Sequence, residues 1–141
     1  MRKSYKDFLN KSDINFLNKL PLGGLRSIKN DSNEVIDKII ETLSNDFKFT
    51  IKDKSYWAIE QKSEGHQWHK DTGSNNHMLW CEVGCTMLLD GEFEGGETLY
   101  RKDGVERVIE RSSYELLAHT SDEEHMVKPS DGNRKVLLIF I

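Results

Sequence analysis

Arg134-Lys135-Val136-Leu137-Leu138-Ile139-Phe140-Ile141 is the stretch on which the architecture turns. Side chains alternate between the faces of a strand, so Val136, Leu138 and Phe140 lie on one side and Leu137, Ile139 and Ile141 on the other. A strand apolar on both faces is covered on both. The available cover lies upstream. Asp31-Ser32-Asn33-Glu34 is a helix-capping signal, and Val35, Ile36, Ile39, Ile40 and Leu43 recur at helical spacing, which predicts one amphipathic helix over 32–46. Earlier still, Ser4-Tyr5-Lys6-Asp7 has the spacing of a helix start before Phe8 and Leu9. Ser12 or Asp13 can cap a further turn or two carrying Phe16, Leu17 and Leu20. Pro21-Leu22-Gly23-Gly24 breaks that pattern.

From Phe47 onward the texture changes to short β-type runs punctuated by Gly, Asn and Asp: 47–51, 56–62, 78–89, 97–101, 105–110, 113–118, 124–128 and 134–141. Runs at this pitch, with no later helical pattern, predict a sandwich or barrel. The expected fold class is therefore mainly β with N-terminal helices. It forms a single domain over 1–141, with 1–46 as a helical buttress and 47–141 as the β core. No internal repeat or low-complexity segment interrupts it.

Composition narrows the function classes. The 141 residues are 31% charged and 36% hydrophobic, which fits a folded soluble chain rather than a disordered one. A net charge of −4 without a run of Lys and Arg argues against a surface built to neutralise nucleic-acid phosphates or anionic lipid. Neither a secretory signal at Met1–Asp7 nor an apolar membrane span is visible, so a cytoplasmic location is expected. Cys81 and Cys85 are too few for a disulfide framework. On one strand they would share a face but stand too far apart to bridge, so they read as small buried thiols.

Chemistry concentrates in Glu64-Gly65-His66-Gln67-Trp68-His69-Lys70-Asp71-Thr72-Gly73. His69 and Asp71, two residues apart, would project from the same face of an extended strand. One more histidine from elsewhere would complete a two-histidine, one-carboxylate set, which leaves half of an iron coordination sphere open. The candidate is His125. It ends one β run, Pro129 to Asn133 is a turn-forming cluster, and Arg134 begins the next run, so a hairpin is expected to bring His125 and Arg134 to one cavity. A buried cation at the head of an apolar strand needs an anion, and a guanidinium can hold a carboxylate bidentately.

Taken in order, His69-x-Asp71, Glu94-Gly95-Gly96-Glu97-Thr98, His125-x-Val127-x-Pro129 and Arg134, nine residues after His125, resemble the Fe(II)- and 2-oxoglutarate-dependent dioxygenases in their prolyl 4-hydroxylase-like branch. The resemblance runs from about residue 57 to Ile141. It implies a double-stranded β-helix of jelly-roll or cupin-like type buttressed by α-helices, which agrees with the order of elements read above. It also implies that His69, Asp71 and His125 are the catalytic iron ligands. Arg134 would bind the distal carboxylate of 2-oxoglutarate, with Thr86 and Val127 beside it in the co-substrate pocket. The implied cofactors are Fe(II), 2-oxoglutarate and O2, with ascorbate as accessory reductant. The implied reaction is hydroxylation of a C–H bond in a peptide, protein or small-molecule substrate, most like prolyl hydroxylation, with formation of succinate and CO2.

The pattern also has departures. The branch usually carries one tyrosine nine or ten residues before the first histidine and another ahead of the Leu-Asn of the central strand. Ile59 or Glu60 and Leu88 stand there instead, leaving Thr86, and more loosely Tyr114, to supply a hydroxyl. Those missing phenols keep an alternative from another class: a cupin-like metal or small-molecule binding module without turnover. A nucleic-acid demethylase of the same superfamily fits less well, since those carry a second arginine shortly after the first and Arg134 is followed by Lys135 and an apolar run. His119 is a rival distal ligand whose spacing to Arg134 does not match the family. His66 reads as a substrate contact or a solvated loop residue, and Trp68 as lining the entrance or packing. The 73–77 loop with His77 reads as exposed and placed to act as a lid. Gly95-Gly96 marks a tight turn or bulge, and Asp122-Glu123-Glu124 a solvated rim.

Overall fold

A computed structural model describes residues 1–72, 78–89 and 91–141. The proposed lid at 73–77, and Asp90, lie outside the described residues. The elements in chain order are β1 (Arg2–Tyr5), α1 (Lys11–Asn18), β2 (Gly23–Ser27), α2 (Glu34–Ser44), β3 (Tyr56–Gln61), β4 (His66–His69), β5 (Val83–Leu88), β6 (Thr98–Lys102), β7 (Val105–Ile109), β8 (Leu116–Thr120), β9 (Glu124–Val127) and β10 (Lys135–Phe140). They form a six-stranded sheet, β1-β8-β5-β10-β3-β2, and a four-stranded sheet, β4-β9-β6-β7. The fold is mainly β with helices against one sheet, as the order of elements predicts.

β10 occupies the inner position its sequence demands, paired antiparallel with β3 on one side and β5 on the other. Leu137, Ile139 and Ile141 are fully buried in one core cluster with the α2 stripe of Val35, Ile36, Ile39 and Leu43. Val136, Leu138 and Phe140, on its other face, line a cavity instead. The helix begins where the capping signal places it: the Asn33 side chain accepts hydrogen bonds from the Val35 and Ile36 amides, both 3.0 Å long. In the four-stranded sheet, Asp103 and Gly104 turn the β6–β7 hairpin with φ of 52° and 78°, the left-handed pair that a two-residue turn requires.

Tertiary pairing overrides local signals at several places. Residues 2–5 are a strand, not a helix start, because the edge of β8 offers them a full antiparallel register from Arg2↔His119 to Tyr5↔Leu116. The cap of α1 is Asn10 rather than Ser12 or Asp13, with Asp13 returning the bond to the Asn10 amide. The helical pattern does end before Pro21–Gly24, but Gly23–Ser27 then adds an edge strand to β3 that the local signals do not announce. Residues 47–51 are not a strand, although Phe47 is buried. The expected 113–118 run starts only at Leu116, since Tyr114 sits at φ 63° in the preceding turn. β9 and β10 are not a hairpin: β9 pairs with β4 and β6, β10 with β3 and β5, so the intervening turn crosses between sheets. Among the described residues no helix is long and apolar enough to cross a membrane.

Ile39 has no solvent exposure at the helix–sheet contact, so Ile39→Ala should destabilise the fold by roughly 2–5 kcal/mol in urea denaturation, mostly as an unfilled cavity.

Candidate functional site

Between the sheets lies a cavity of about 650 Å³, and His69, Asp71, His125 and Arg134 all line it. Strand register brings the first three together. β4 pairs with β9 so that His69 lies directly opposite His125, while Asp71 sits in the turn that follows β4. One ligand atom from each of the three falls within 4.8 Å of the others, a set able to hold a metal ion. Asp71 Oδ1 is 3.4 Å from His125 Nε2 and 3.7 Å from His69 Nε2.

The backbone selects the tautomers. His69 Nδ1 lies 2.7 Å from the Gln67 carbonyl and His125 Nδ1 lies 2.8 Å from the Glu123 carbonyl, each two residues back along the chain. A carbonyl only accepts, so each Nδ1 is the protonated donor. In the neutral ring the Nε2 lone pair is then left facing Asp71 Oδ1, as a metal ligand requires.

The other carboxylate oxygen is committed elsewhere. His119 Nε2 donates to Asp71 Oδ2 at 2.6 Å, and the Tyr100 hydroxyl, 2.7 Å from His119 Nδ1, donates to that ring's remaining nitrogen. His119 therefore holds the carboxylate from behind and stands outside the metal-capable set. Burial works to raise the Asp71 pKa, but the hydrogen bond from His119 and the electrostatic pull of the His119 and His125 rings hold the carboxyl well below its ordinary range. Burial pushes His69 and His119 down. In His125, the pull of the Asp71 carboxylate outweighs burial and raises the pKa. Gly84 lies opposite His119 on β5, and a Cβ there would collide with Asp71 Oδ2 and stand 2.9 Å from His119 Nε2. Glycine is needed here for space.

Arg134 is buried, with its Nε lacking any hydrogen-bond partner, and burial depresses its pKa. Asp131, three residues before it, accepts instead from the Glu94 and Asn133 amides. The Arg134 stem lies against Gly96, where a Cβ would come within 2.6 Å of Arg134 Cδ. This close approach, with φ of 80° and 73° at Gly95 and Gly96, accounts for the glycine pair.

No family model and no curated protein matches the sequence. The three-dimensional comparison is more telling. A prolyl-4-hydroxylase of Pseudomonas putida superposes on 99% of this chain and 90% of its own at TM-score 0.66 and 16% identity. A prolyl hydroxylase of Trichoplax adhaerens, in complex with a peptide fragment of the hypoxia inducible factor oxygen degradation domain, covers 99% and 83% at TM-score 0.66 and 15% identity. An oxidoreductase of the 2OG-Fe(II) oxygenase family from Burkholderia pseudomallei covers 99% and 82% at TM-score 0.62 and 12% identity. This chain has the prolyl hydroxylase fold.

Within that fold the sequence-selected residues are distributed as follows. Thr86 and Val127 line the cavity, Val127 on β9 opposite His66 and Thr98. Thr86 Oγ1 accepts a hydrogen bond from Arg111. Tyr114 is directed to Asn18 Oδ1, 2.8 Å away, and does not reach the cavity. His66 lines the wall with its Nε2 2.6 Å from Glu60. Trp68 lines it with the Arg101 guanidinium 4.2 Å above its ring, itself paired with Glu124. Cys81 and Cys85 are buried free thiols. Sequence reasoning missed Tyr56, Tyr100 and Arg111, which also line the cavity. Both phenols are engaged within the protein, Tyr100 with His119 Nδ1 and Tyr56 with Met78 Sδ. Tyr100 was traceable only through its register opposite His125, and Tyr56 stands thirteen residues before His69, just outside the expected spacing.

The space left by Gly84 yields a metal-independent test. Gly84→Ala should cost about 1–3 kcal/mol by overpacking, and most of that cost should vanish in an Asp71→Ala background, measured as the coupling in a double-mutant cycle by chemical denaturation.

Proposed function

We propose that the protein is an Fe(II)- and 2-oxoglutarate-dependent oxygenase that hydroxylates a C–H bond of a peptide or protein substrate and converts 2-oxoglutarate to succinate and CO2. The observation that carries this reading is one cavity walled by both the His69–Asp71–His125 set and the guanidinium of Arg134, which forms no ion pair among the described residues. Two neutral imidazoles and one carboxylate suit Fe(II) and leave coordination positions open. When bound, the metal and 2-oxoglutarate supply the oxidising chemistry, using O2.

The chain's own contribution is placement. The Gln67 and Glu123 carbonyls keep His69 and His125 in the tautomer that presents Nε2. His119, fixed by Tyr100, keeps Asp71 Oδ1 turned toward those nitrogens by occupying Oδ2. Arg134, buried with no ion-pair partner among the described residues, is the anion-binding group for the distal carboxylate. Val136, Leu138 and Phe140 provide an apolar wall that limits water around the reacting groups. A peptide substrate is supported by the Trichoplax adhaerens neighbour, whose structure holds a peptide fragment.

Purified protein with Fe(II), ascorbate and 2-oxoglutarate should form succinate, slowly even without prime substrate. Metal binding without any succinate would favour the non-catalytic cupin-like reading. Asp71→Ala and His125→Ala should abolish metal-dependent turnover, whereas Arg134→Ala should raise the apparent KM for 2-oxoglutarate by about ten- to a hundredfold, read from initial rates of succinate formation. If His119→Ala inactivated the protein while His125→Ala left it active, the ligand assignment would be wrong.

A further inference from the structure

Arg111 belongs to none of the motifs and lies in the connection between β7 and β8, yet its side chain crosses to the cavity. Its Nη2 donates to the Thr86 carbonyl and to Thr86 Oγ1, both at 3.1 Å, and its Nη1 donates to Thr98 Oγ1 at 3.3 Å. A guanidinium has five N–H donors, so these contacts leave two. One of them, Nε–H, is buried without a partner. The same is true of Arg134 Nε, and Arg134 makes no hydrogen bond or ion pair among the described residues.

Both cations are placed by one segment. Gly96 carries the stem of Arg134, and Thr98, two residues later, accepts from Arg111. Burial first, and then the charge of Arg134, depress the Arg111 pKa to about 10. No carboxylate of the described residues forms an ion pair with either arginine, and Glu60, whose charge acts on Arg134, is engaged by His66. Two like charges desolvated in one cavity are costly unless an anion lies between them. As a brace between β5 and β6 alone, Arg111 would leave its buried Nε–H unsatisfied and its charge without a counter-ion.

We propose that Arg111 is a second anion-anchoring residue, so that the distal carboxylate of the co-substrate is held between two guanidinium groups, Arg111 and Arg134, with Thr86 and Thr98 fixing the orientation of Arg111. This rests on the oxygenase reading above and adds to it a specificity-determining residue. The pair selects for a 2-oxo acid with a carboxylate at its far end, and against one that is apolar there.

Calorimetric titration of anaerobic, Mn(II)-loaded protein with 2-oxoglutarate and with 2-oxopentanoate, which has the same carbon chain but no distal carboxylate, tests the assignment. Arg111→Gln should weaken 2-oxoglutarate binding by about tenfold or more, as expected for lost hydrogen bonds to a charged group, and leave 2-oxopentanoate binding within about twofold. Arg134→Gln should show the same selective loss. Equal weakening of both acids by Arg111→Gln would mean a structural brace only and would overturn the proposal, as would unchanged 2-oxoglutarate affinity in that variant alongside a loss in Arg134→Gln. If the wild-type protein binds neither acid, the oxygenase reading itself fails. Should Arg111→Gln not fold, the arginine Nε–H resonances of Zn(II)-loaded wild-type protein provide the readout: 2-oxoglutarate must shift those of both Arg111 and Arg134, and a shift of Arg134 alone sinks the idea.

Discussion

Asp71 is only 4% exposed, and taking a carboxylate that far from water costs several kcal/mol unless donors and cations surround it. Much of the site is the answer to that cost. His119 on β8 donates to one oxygen, His125 on β9 and His69 on β4 face the other, and Tyr100 on β6 fixes the ring that does the donating. β5 contributes by what it lacks, since only glycine at position 84 leaves room for the carboxylate and its histidine. Strands of both sheets thus converge on one charge. Their register is given by antiparallel pairs such as His69↔His125 and Gly84↔His119, and a slip of one residue would turn the ligands to the other face.

β10 supplies the other organising constraint. Its Leu137, Ile139 and Ile141 face meets the α2 stripe and makes the core, while its Val136, Leu138 and Phe140 face walls the cavity. One strand therefore anchors the domain and shapes the site. Arg134, immediately before it, is drawn into a desolvated position without an ion-pair partner among the described residues. Arg111 enters the same cavity from the opposite direction in sequence and is held by threonines of both sheets. The cavity thus combines an acidic, imidazole-ringed cluster suited to a cation with a guanidinium pair suited to an anion. That combination suits a ligand that bridges a metal and a basic pocket.

Short-range signals were legible where they coincide with tertiary demands. The Asn33 cap and its apolar stripe predict α2, because a buried helix face must repeat with the helical period. His69 and Asp71 are close in sequence, so their convergence needs little beyond an extended chain and a turn. Arg134 stood out as a cation heading an apolar strand. By contrast, Ser4-Tyr5-Lys6-Asp7 has the spacing of a helix start, yet Arg2–Tyr5 becomes a strand because β8 has an open edge. The 124–141 region suggested a hairpin, although its two strands lie in different sheets and share only the cavity.

The amino-acid sequence by itself determined the mainly β class, the helix that covers β10, and the identity of three metal-capable residues and one cation, because each is written in local spacing and polarity. Only the tertiary structure decided that His119 supports Asp71 rather than joining the ligands, that Tyr56 and Tyr100 furnish the cavity's phenols, and that Arg111 stands with Arg134. Those relations join residues far apart in the chain through β-sheet register and cross-sheet contact. Neither leaves a periodic or spacing signal along the sequence.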